Sequence, residues 1–384
     1  MKKTLWTFLL FHYMLLATAQ SDDNSVSIYS KGTSTAIKWK RIDPDSVASP
    51  EVIPVRQAQR REAKDNVYPV GKPVITTLNP ADFTTVTPGE NGAPMPKRFK
   101  IPAEKVPALR SPRTKALPPA FKDVATHDIR YLDIDQGMAN SYVFGLCEDS
   151  KGYLWFAGWI GGVWRYDGVF FTQFTMREGL PDDEVSVIYE DHQQQLWFGT
   201  KNGLTKYDGQ SFTNYIQLPD HSAFNVWTIA EDKDHKLWIA SLDEGIYRFD
   251  GQYFEHFTTA QGLLSNTVSA ILKGMDGRLW FATDQGLCYF DGQSFTQVRT
   301  AEVDAPSEFY DLTTGEAGDI WAATNRGLTR YDGTAFYDYT KRPSFRRPSR
   351  LVIDESGNIW LGGSPGSLWK LDGNAFMQYS EKEG

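Results

Sequence analysis

Apolar residues recur with a fixed period along the last two thirds of the chain, where short hydrophobic runs alternate with polar turns. Six tryptophans stand 42, 41, 42, 41 and 39 residues apart, at positions 155, 197, 238, 280, 321 and 360. Each is followed 11 or 12 residues later by Asp-Gly, as in Asp167-Gly168 and Asp208-Gly209. Asp-Gly between two apolar runs predicts a tight β-hairpin, because both turn positions favour a positive φ.

The sequence of each repeat predicts four short antiparallel strands. In the fourth repeat the apolar runs are 268–272, 278–282, 287–290 and 294–298. A period near 41 with this content predicts an all-β fold, a β-propeller built of four-stranded antiparallel blades. Six complete blades are predicted, at about 139–176, 181–217, 222–259, 264–300, 305–341 and 347–380, within a propeller domain over 126–384. The recurring tryptophans and the aromatic pairs of the fourth strands are interpreted as inter-blade core.

The strand register at the start of the domain suggests more than six blades. Residues 129–134 sit where a fourth, outer strand belongs, and no blade precedes them. We therefore expect an incomplete seven-blade ring whose last blade takes its outer strand from this segment. A closed six-blade ring with a spare strand is the alternative.

The chain before the repeats has a different composition. Residues 1–19 combine two lysines, an apolar run and Ala17-Thr18-Ala19, which predicts a secretory signal peptide. Residues 20–125 hold 14 of the 20 prolines, and we expect an extended, largely disordered tether there. A short strand at Val74–Leu78 is the one element expected within it. No stretch predicts a stable membrane span.

Charge is divided unevenly between these regions. The net charge of −8 is the sum of +2 over residues 1–19, +5 over 20–128 and −15 over 129–384. An acidic propeller argues against a nucleic-acid partner, because phosphate binding depends on Lys and Arg. Cys147 and Cys288 fall in different repeats at different strand positions, so they are interpreted as small apolar side chains rather than a disulfide.

The repeat also carries a family resemblance. The segment Trp197-Phe-Gly-Thr-Lys-Asn-Gly-Leu-Thr-Lys-Tyr-Asp-Gly209 resembles the two-component regulator propeller repeat, as do 280–287 and 321–328. Such repeats typically form the periplasmic sensor of hybrid two-component systems, many of which respond to glycans. The resemblance covers about 129–384, and we find no kinase, receiver or DNA-binding pattern, so an output region in this chain is not expected.

Catalytic chemistry is not predicted. The propeller histidines His192, His221, His235 and His256 show no metal-ligand spacing and are interpreted as solvated surface residues. Aspartates such as Asp149, Asp191 and Asp232 recur at one blade position, which indicates a fold requirement rather than a unique catalytic set. We expect no enzyme activity, no cofactor and no metal.

Ligand-binding residues are expected where the repeats differ, in the turns between second and third strands and in the links between blades. Trp159 is the leading candidate because it is an extra tryptophan in a Gly-rich turn. The full candidate set is Trp159, Lys201, Asn202, Asp243, Asp284, Asn325, Arg326, Arg346 and Arg347. Aromatic planes beside charged and amide groups suit carbohydrate recognition.

The predicted function is therefore a periplasmic or secreted ligand-sensing propeller that takes a carbohydrate or a similar small molecule. Its expected partners are that ligand and a kinase-bearing protein, or an output region beyond this sequence. Two alternatives stay open at this point. One is a protein-interaction scaffold that uses the same face, and the other is a propeller lyase or glycan-active enzyme.

Overall fold

The first described strands come from the proline-rich segment. The computed structural model describes residues 67–69, 72–117, 143–220, 222–299, 307–339, 348–354, 356–363, 367–371 and 375–379. Six strands lie in its N-terminal part, namely β1 (Val67–Pro69), β2 (Val74–Thr77), β3 (Phe83–Val86), β4 (Lys97–Phe99), β5 (Ala103–Pro107) and β6 (Arg113–Lys115). The predicted signal peptide and the expected strand at 129–134 lie outside the described residues.

Six sheets follow, each built from four consecutive strands, and they confirm the predicted propeller blades. The first two blades are β7 (Val143–Glu148), β8 (Leu154–Gly158), β9 (Val163–Tyr166), β10 (Phe170–Phe174) and β11 (Val185–Glu190), β12 (Leu196–Thr200), β13 (Gly203–Tyr207), β14 (Ser211–Tyr215). The next two are β15 (Val226–Glu231), β16 (Leu237–Ser241), β17 (Gly245–Phe249), β18 (Phe254–Phe257) and β19 (Val268–Lys273), β20 (Leu279–Thr283), β21 (Gly286–Phe290), β22 (Phe295–Val298). The last two are β23 (Phe309–Thr314), β24 (Ile320–Thr324), β25 (Gly327–Tyr331), β26 (Ala335–Asp338) and β27 (Pro348–Ile353), β28 (Ile359–Gly363), β29 (Ser367–Leu371), β30 (Ala375–Tyr379).

Helical structure is nearly absent from the part of the chain that the structure describes. Two 3₁₀ turns occur, Pro80–Asp82 and Thr259–Gln261. Within the same residues, no helix has the length and apolar character needed to cross a membrane.

The proline-rich segment adds a fifth, outermost strand to every blade. In chain order β1 to β6 pair antiparallel with β30, β26, β22, β18, β14 and β10, so the segment runs backwards from the sixth blade to the first. We call described residues 67–69 and 72–117 the belt. This corrects the predicted disordered tether for these residues, whereas the expected strand near Val74 is present as β2. Outermost strands tolerate proline because one of their edges needs no ladder hydrogen bond.

Charge complementarity holds the belt to the Asp-Gly hairpins. Arg98 lies 3.0 Å from Asp250, Lys105 lies 3.6 Å from Asp208, and Arg113 lies 2.7 Å from Asp167. The three aspartates are the hairpin residues of the third, second and first blades. The basic segment and the acidic propeller thus meet at one recurring contact, which accounts for part of the uneven charge along the sequence.

A tryptophan–aspartate contact closes the turn between first and second strands. The indole Nε1 of Trp238 donates to Asp232 at 2.8 Å, while the other carboxylate oxygen accepts from the backbone amides of Asp234 and Lys236. The pairs 155/149, 197/191 and 360/354 repeat the indole contact at 2.7–2.8 Å. These aspartates are therefore structural, as the sequence indicated.

Packing between neighbouring blades forms the core. Trp155, Val163 and Phe174 of the first blade pack with Ile188 and the other apolar residues of the second, and the arrangement repeats at each junction up to the fifth and sixth blades. Belt residues enter two of these clusters, since Leu78 and Ile101 are only 9% and 5% exposed. The belt is therefore part of the hydrophobic core.

The outward-facing sides of the first and sixth blades lack such a partner among the described residues. Leu146 on β7 is 65% exposed, whereas its equivalents in four other blades, Ile188, Ile229, Leu312 and Leu351, are 5–8% exposed. Leu368 on β29 is 39% exposed, whereas its equivalents are fully buried, namely Val163, Leu204, Ile246, Leu287 and Leu328. We call these two sides the open faces. A seventh blade between them stays a prediction.

Both cysteines are free thiols in the described structure. Cys288 is fully buried in the core between the third and fourth blades, and burial raises the pKa of its thiol to about 12. Cys147 is half-buried on β7, where burial, followed by the negative charges of Glu190 and Asp149, raises its thiol pKa to about 11. Such thiols are weak nucleophiles at neutral pH.

The aspartates of the turns should make the stability of the fold sensitive to acid. Burial raises the pKa of Asp208, but hydrogen bonds from the Ser211 hydroxyl and the Gln210 amide outweigh it, and the pKa falls to about 2. Hydrogen bonds from Trp360 and Asn358 hold the pKa of Asp354 at about 2 as well. A carboxyl group with a lowered folded pKa stabilises the fold above about pH 4 and loses that contribution as the pH falls towards about 2.

We therefore expect the Tm to decrease steeply between about pH 4 and pH 2 and to change little between pH 5 and pH 7. Thermal unfolding followed by circular dichroism would measure it. Asp208→Asn keeps a carbonyl acceptor in the turn but does not titrate, so its Tm should depend less on pH in this window. An Asn variant with the same pH dependence as the parent would contradict the assignment.

Candidate functional site

A β-bulge recurs at the start of every innermost strand. The register of each first strand against its second strand shifts across one residue, at Val143/Gly145 in the first blade and at the same place in the other five. The six bulged residues are Phe144, Ser186, Trp227, Ser269, Tyr310 and Ser349. Aromatic residues and serines alternate from blade to blade. A bulge redirects one side chain, and bulges are frequent beside binding sites.

These strands surround a central cavity of about 560 Å³. Four bulged residues line it, namely Phe144, Ser186, Trp227 and Ser269. The Trp227 indole crosses to the next blade, where Nε1 donates to the Ser269 carbonyl oxygen at 3.2 Å. The cavity extends along the sixth blade to Trp360 and Leu368, so it reaches an open face. This volume lies in the usual range for small-molecule sites.

A carboxylate and a guanidinium lie in the cavity wall. Asp311 and Arg350 occupy the third position of their strands, where the other blades carry Gly145, Val187, Thr228 and Ala270. The Asp311 carboxylate accepts hydrogen bonds of 3.0 Å from the backbone amides of Leu312 and Leu351. Burial raises its pKa more than the Arg350 charge and these amides lower it. The cavity therefore offers aromatic planes, serines, one carboxyl group and one guanidinium.

Those predicted candidate residues that the structure describes lie on the side of the propeller where the turns between second and third strands meet the links between blades. We call this side the mouth face. Trp159 packs edge-on against Phe144 with ring centroids 5.8 Å apart, so the leading candidate reaches the bulged residues. Its ring is half-buried, which leaves part of the aromatic surface accessible.

The side chains of three other candidates are held by contacts within the mouth face. Lys201 pairs with Glu184 at 2.8 Å, and the Asp243 carboxylate accepts from the Thr267 hydroxyl at 2.7 Å. The Asn325 amide donates to the Ser307 hydroxyl at 2.9 Å. These side chains therefore already have a structural partner in the links between blades, and the structure does not bring them together with Trp159.

The remaining candidates divide into two groups. The backbone amides of Asn202 and Arg326 donate to the hydroxyls of Thr200 and Thr324 at 3.2 and 3.1 Å, and these contacts fix the turns. The side chains of Asn202 and Asp284 are exposed. The turn also depends on Gly203, which has a φ of 136° and would place a Cβ 2.8 Å from the Tyr215 carbonyl oxygen. Arg346 and Arg347 lie outside the described residues.

Sequence reasoning missed the cavity residues Phe144, Trp227, Asp311 and Arg350 as a set. The signal was present, because the second position of the first strand alternates between aromatic residues and serine while the first position stays apolar. A regular strand would point this residue to the opposite side from its neighbours. The bulge, which the sequence pattern does not reveal, is what brings four of the six residues, Phe144, Ser186, Trp227 and Ser269, into the wall of the cavity.

Two histidines interpreted as solvated surface residues are also brought together. His192 and His235 stack with ring centroids 3.8 Å apart, and the His192 ring nitrogen Nδ1 contacts the buried Glu231 carboxylate. They come from neighbouring blades, so their distance in the sequence hid the cluster. His256 has a different role, since its Nε2 contacts the Glu244 carbonyl oxygen at 2.7 Å.

Comparison with known proteins agrees with this architecture. The family model described as two component regulator propeller matches residues 137–160, 179–202 and 262–285. No curated protein sequence matches the chain. An extracellular domain attributed to a hybrid two-component system of B. thetaiotaomicron is similar over 67% of this chain and 39% of its own, with 21% identity and a TM-score of 0.58.

Two further solved structures share the fold. A second extracellular domain of a B. thetaiotaomicron hybrid two-component system matches 65% of this chain and 36% of its own, with 22% identity and a TM-score of 0.55. Virginiamycin B lyase from Staphylococcus aureus matches 62% of this chain and 84% of its own, with 15% identity and a TM-score of 0.52. The chain spans well under half the length of the two extracellular domains. At these identities the likeness shows the propeller fold alone.

Proposed function

Because the chain carries two-component regulator propeller repeats, we propose that it is a ligand-binding sensor propeller without catalytic activity. The observation that carries the proposal is the central cavity of about 560 Å³ with its redirected aromatic and serine side chains. The fold supplies the same bulge six times, while the residue at the bulge changes from blade to blade. Variation at one fixed geometry is what a binding surface on a repeated scaffold requires.

The proposed ligand is a carbohydrate. Phe144 and Trp227 offer flat apolar surfaces, and Trp159 extends them at the mouth face. Sugar rings have apolar faces that stack on such planes, and their hydroxyls bind serine hydroxyls and charged groups. Asp311 and Arg350 supply an acceptor and a donor in the same wall. A sugar with a carboxylate would pair with Arg350 in particular.

Location and signalling follow from the same proposal. The expected signal peptide places the propeller in the periplasm or outside the cell. The two similar B. thetaiotaomicron structures are described as extracellular domains, which supports this location. Ligand occupancy would then be passed to a kinase-bearing partner or to an output region outside this sequence. The candidate residues of the mouth face stay part of the proposed binding surface, and Arg346 and Arg347, which lie outside the described residues, stay candidates from the sequence.

Ligand binding is tested with a panel of oligosaccharides, neutral and acidic, by isothermal titration calorimetry and thermal shift. We expect at least one to bind saturably, and Trp227→Ala to raise its Kd at least about tenfold, which corresponds to about 1.4 kcal/mol. Trp159→Ala should weaken binding in the same direction. Tyr253→Ala is the matched control, because this aromatic residue contacts belt residue Arg98 at the outer rim, with the guanidinium 4.2 Å from the ring centroid.

The outcomes separate the alternatives. Equal affinity of parent and Trp227→Ala would remove the cavity from the site. Turnover of a bound glycan would establish an enzyme in place of a sensor. Absence of binding across the panel, together with stoichiometric capture of a partner protein that Trp159→Ala abolishes, would favour an interaction scaffold.

A further inference from the structure

We infer that His192, Glu231 and His235 form a site for a divalent transition metal ion of the Zn²⁺ class. The three residues lie at the junction of the second and third blades, on the side opposite the mouth face. One ligand atom from each residue can be chosen so that all lie within 4.8 Å of one another. Two imidazoles and one carboxylate are a ligand set that Zn²⁺ uses in proteins.

The contact between His192 and Glu231 has a counterpart without histidine at another junction between blades. Between the first and second blades, Glu190 accepts from the Ser150 amide and the Ser150 hydroxyl, both at 2.8 Å. Between the second and third blades, Glu231 replaces Glu190, and His192 replaces Ser150. The His192 amide donates to Glu231 at 3.2 Å, and its Nδ1 takes the place of the serine hydroxyl. A carboxylate that bridges two blades is therefore the shared feature, and the imidazole is specific to this junction.

The second histidine stands at a position that favours glycine. His235 has a φ of 60°, as Gln194 does at the equivalent position of the second blade, whereas Gly152, Gly277, Gly318 and Gly357 have φ values near 80°. A left-handed conformation is less favourable for a residue with a Cβ, yet the second blade has Gln194 there, so this turn accepts a side chain as well as glycine. His235 uses this position to place Nδ1 3.8 Å from the Glu231 carboxylate. Its ring stacks on that of His192.

Burial and charge at the cluster also suit a cation. Glu231 is only 8% exposed, whereas both imidazoles reach solvent, so the site has a buried anchor and an open side for ion entry. The carboxylates of Asp191 and Asp232 themselves accept from Trp197 and Trp238, so they hold the turns in place.

Binding requires only small movements. Metal–nitrogen and metal–oxygen distances near 2.1 Å bring the ligand atoms closer than their present spread of 4.8 Å. Rotation of the exposed His235 ring and a shift of His192 away from its direct contact with Glu231 achieve this. Coordination needs an unprotonated ring nitrogen, so any proton on a coordinating imidazole nitrogen moves to the other ring nitrogen or to solvent. Water completes the coordination, since three protein ligands leave a position open.

The test uses untagged protein with Zn²⁺ in calorimetry and Co²⁺ in visible absorption. We expect one equivalent to bind, with Co²⁺ giving the intense bands of a four-coordinate site, and we expect Zn²⁺ to raise the Tm. The variant His192→Ser with His235→Gly restores residues that other blades carry at these positions, so it should fold as well as the parent. It should lose more than about 100-fold in affinity, because even outer-sphere substitutions cost about 10- to 100-fold.

His256→Gln is the matched control. Gln173 and Gln297 occupy the equivalent position in two other blades and donate to mouth-face carbonyl oxygens at 2.9 Å, so glutamine is compatible with the fold. This variant should bind Zn²⁺ like the parent. A parent protein that does not bind either ion, or a double variant that binds as tightly as the parent, would overturn the proposal. Loss of metal binding with unchanged oligosaccharide binding would separate this site from the central cavity.

Discussion

Without residues 67–117, the propeller is expected to lose at least about 5 kcal/mol of its free energy of unfolding, which is the lower end of the whole stability of an ordinary domain. The deletion removes the buried side chains of Leu78 and Ile101, each worth about 2–5 kcal/mol in a core. It also uncovers the backbone edge of all six fourth strands, which now pair with the belt. Exposed edges of this kind promote aggregation.

Chemical denaturation of the two chains measures this loss, and size-exclusion chromatography reports the aggregation. Point variants cover the case in which the shortened chain is insoluble. Ile101→Asp places an unpaired carboxylate in the core between the second and third blades and should lower the midpoint strongly. Lys105→Ala removes only an exposed ion pair and should cost at most about 1 kcal/mol. Equal stability of the shortened and parent chains would show that the belt is dispensable.

A second large effect is expected when Asp replaces a buried apolar residue of a first strand, and the same replacement at the exposed equivalent position of the first blade serves as its comparison. Ile229→Asp should destabilise the protein by at least about 4 kcal/mol, because Ile229 is 5% exposed and packs against the second blade. Leu146→Asp at the equivalent position of the first blade should change stability by no more than about 0.5 kcal/mol, since Leu146 is 65% exposed. Denaturant midpoints of the two variants and the parent measure the difference.

The comparison also reports what covers the open faces in solution. If Leu146→Asp destabilises as strongly as Ile229→Asp, another part of the chain or a second copy buries the first blade. A concentration-dependent Tm in the parent protein would then identify the second copy. A neutral Leu146→Asp, with a strongly destabilising Ile229→Asp, shows that this face stays in contact with water.

The repeated part of the fold was predictable because its signals are local. Trp238, its aspartate and the Asp-Gly hairpin lie within one blade, and each blade repeats them, so periodicity alone gives the strand order. The belt was not predictable in this way. Its strands are three to five residues long, carry no repeat, and pair with partners far along the chain, as Val67 does with Met377. The prolines of the belt are typical of disordered segments, but they are also compatible with the outermost strand of a sheet.

In the candidate site, too, local signals were visible in the sequence, whereas contacts between distant segments were not. Trp159 stood out in the sequence because an extra tryptophan in a Gly-rich turn has no role in the repeat. Lys201 and Asp243 stood out as well, yet their partners Glu184 and Thr267 come from links that the pattern does not align. The redirection of Trp227 by its bulge, and the meeting of His192 with His235, depend on three-dimensional register between strands and between blades.

The reverse course of the belt bears on how the protein is made. The ribosome completes the belt before any blade exists, and the first blade to emerge is the one that accepts β6, the belt strand nearest to it in the chain. Each later blade accepts the next belt strand towards the N-terminus, so the loop to be closed lengthens step by step and no threading is needed. The antiparallel pairing of β1 with β30 joins the first described strand to the last and completes the sequence of docking events. Synthesis of the chain and docking of the belt strands onto the blades can therefore proceed in the same direction, blade after blade.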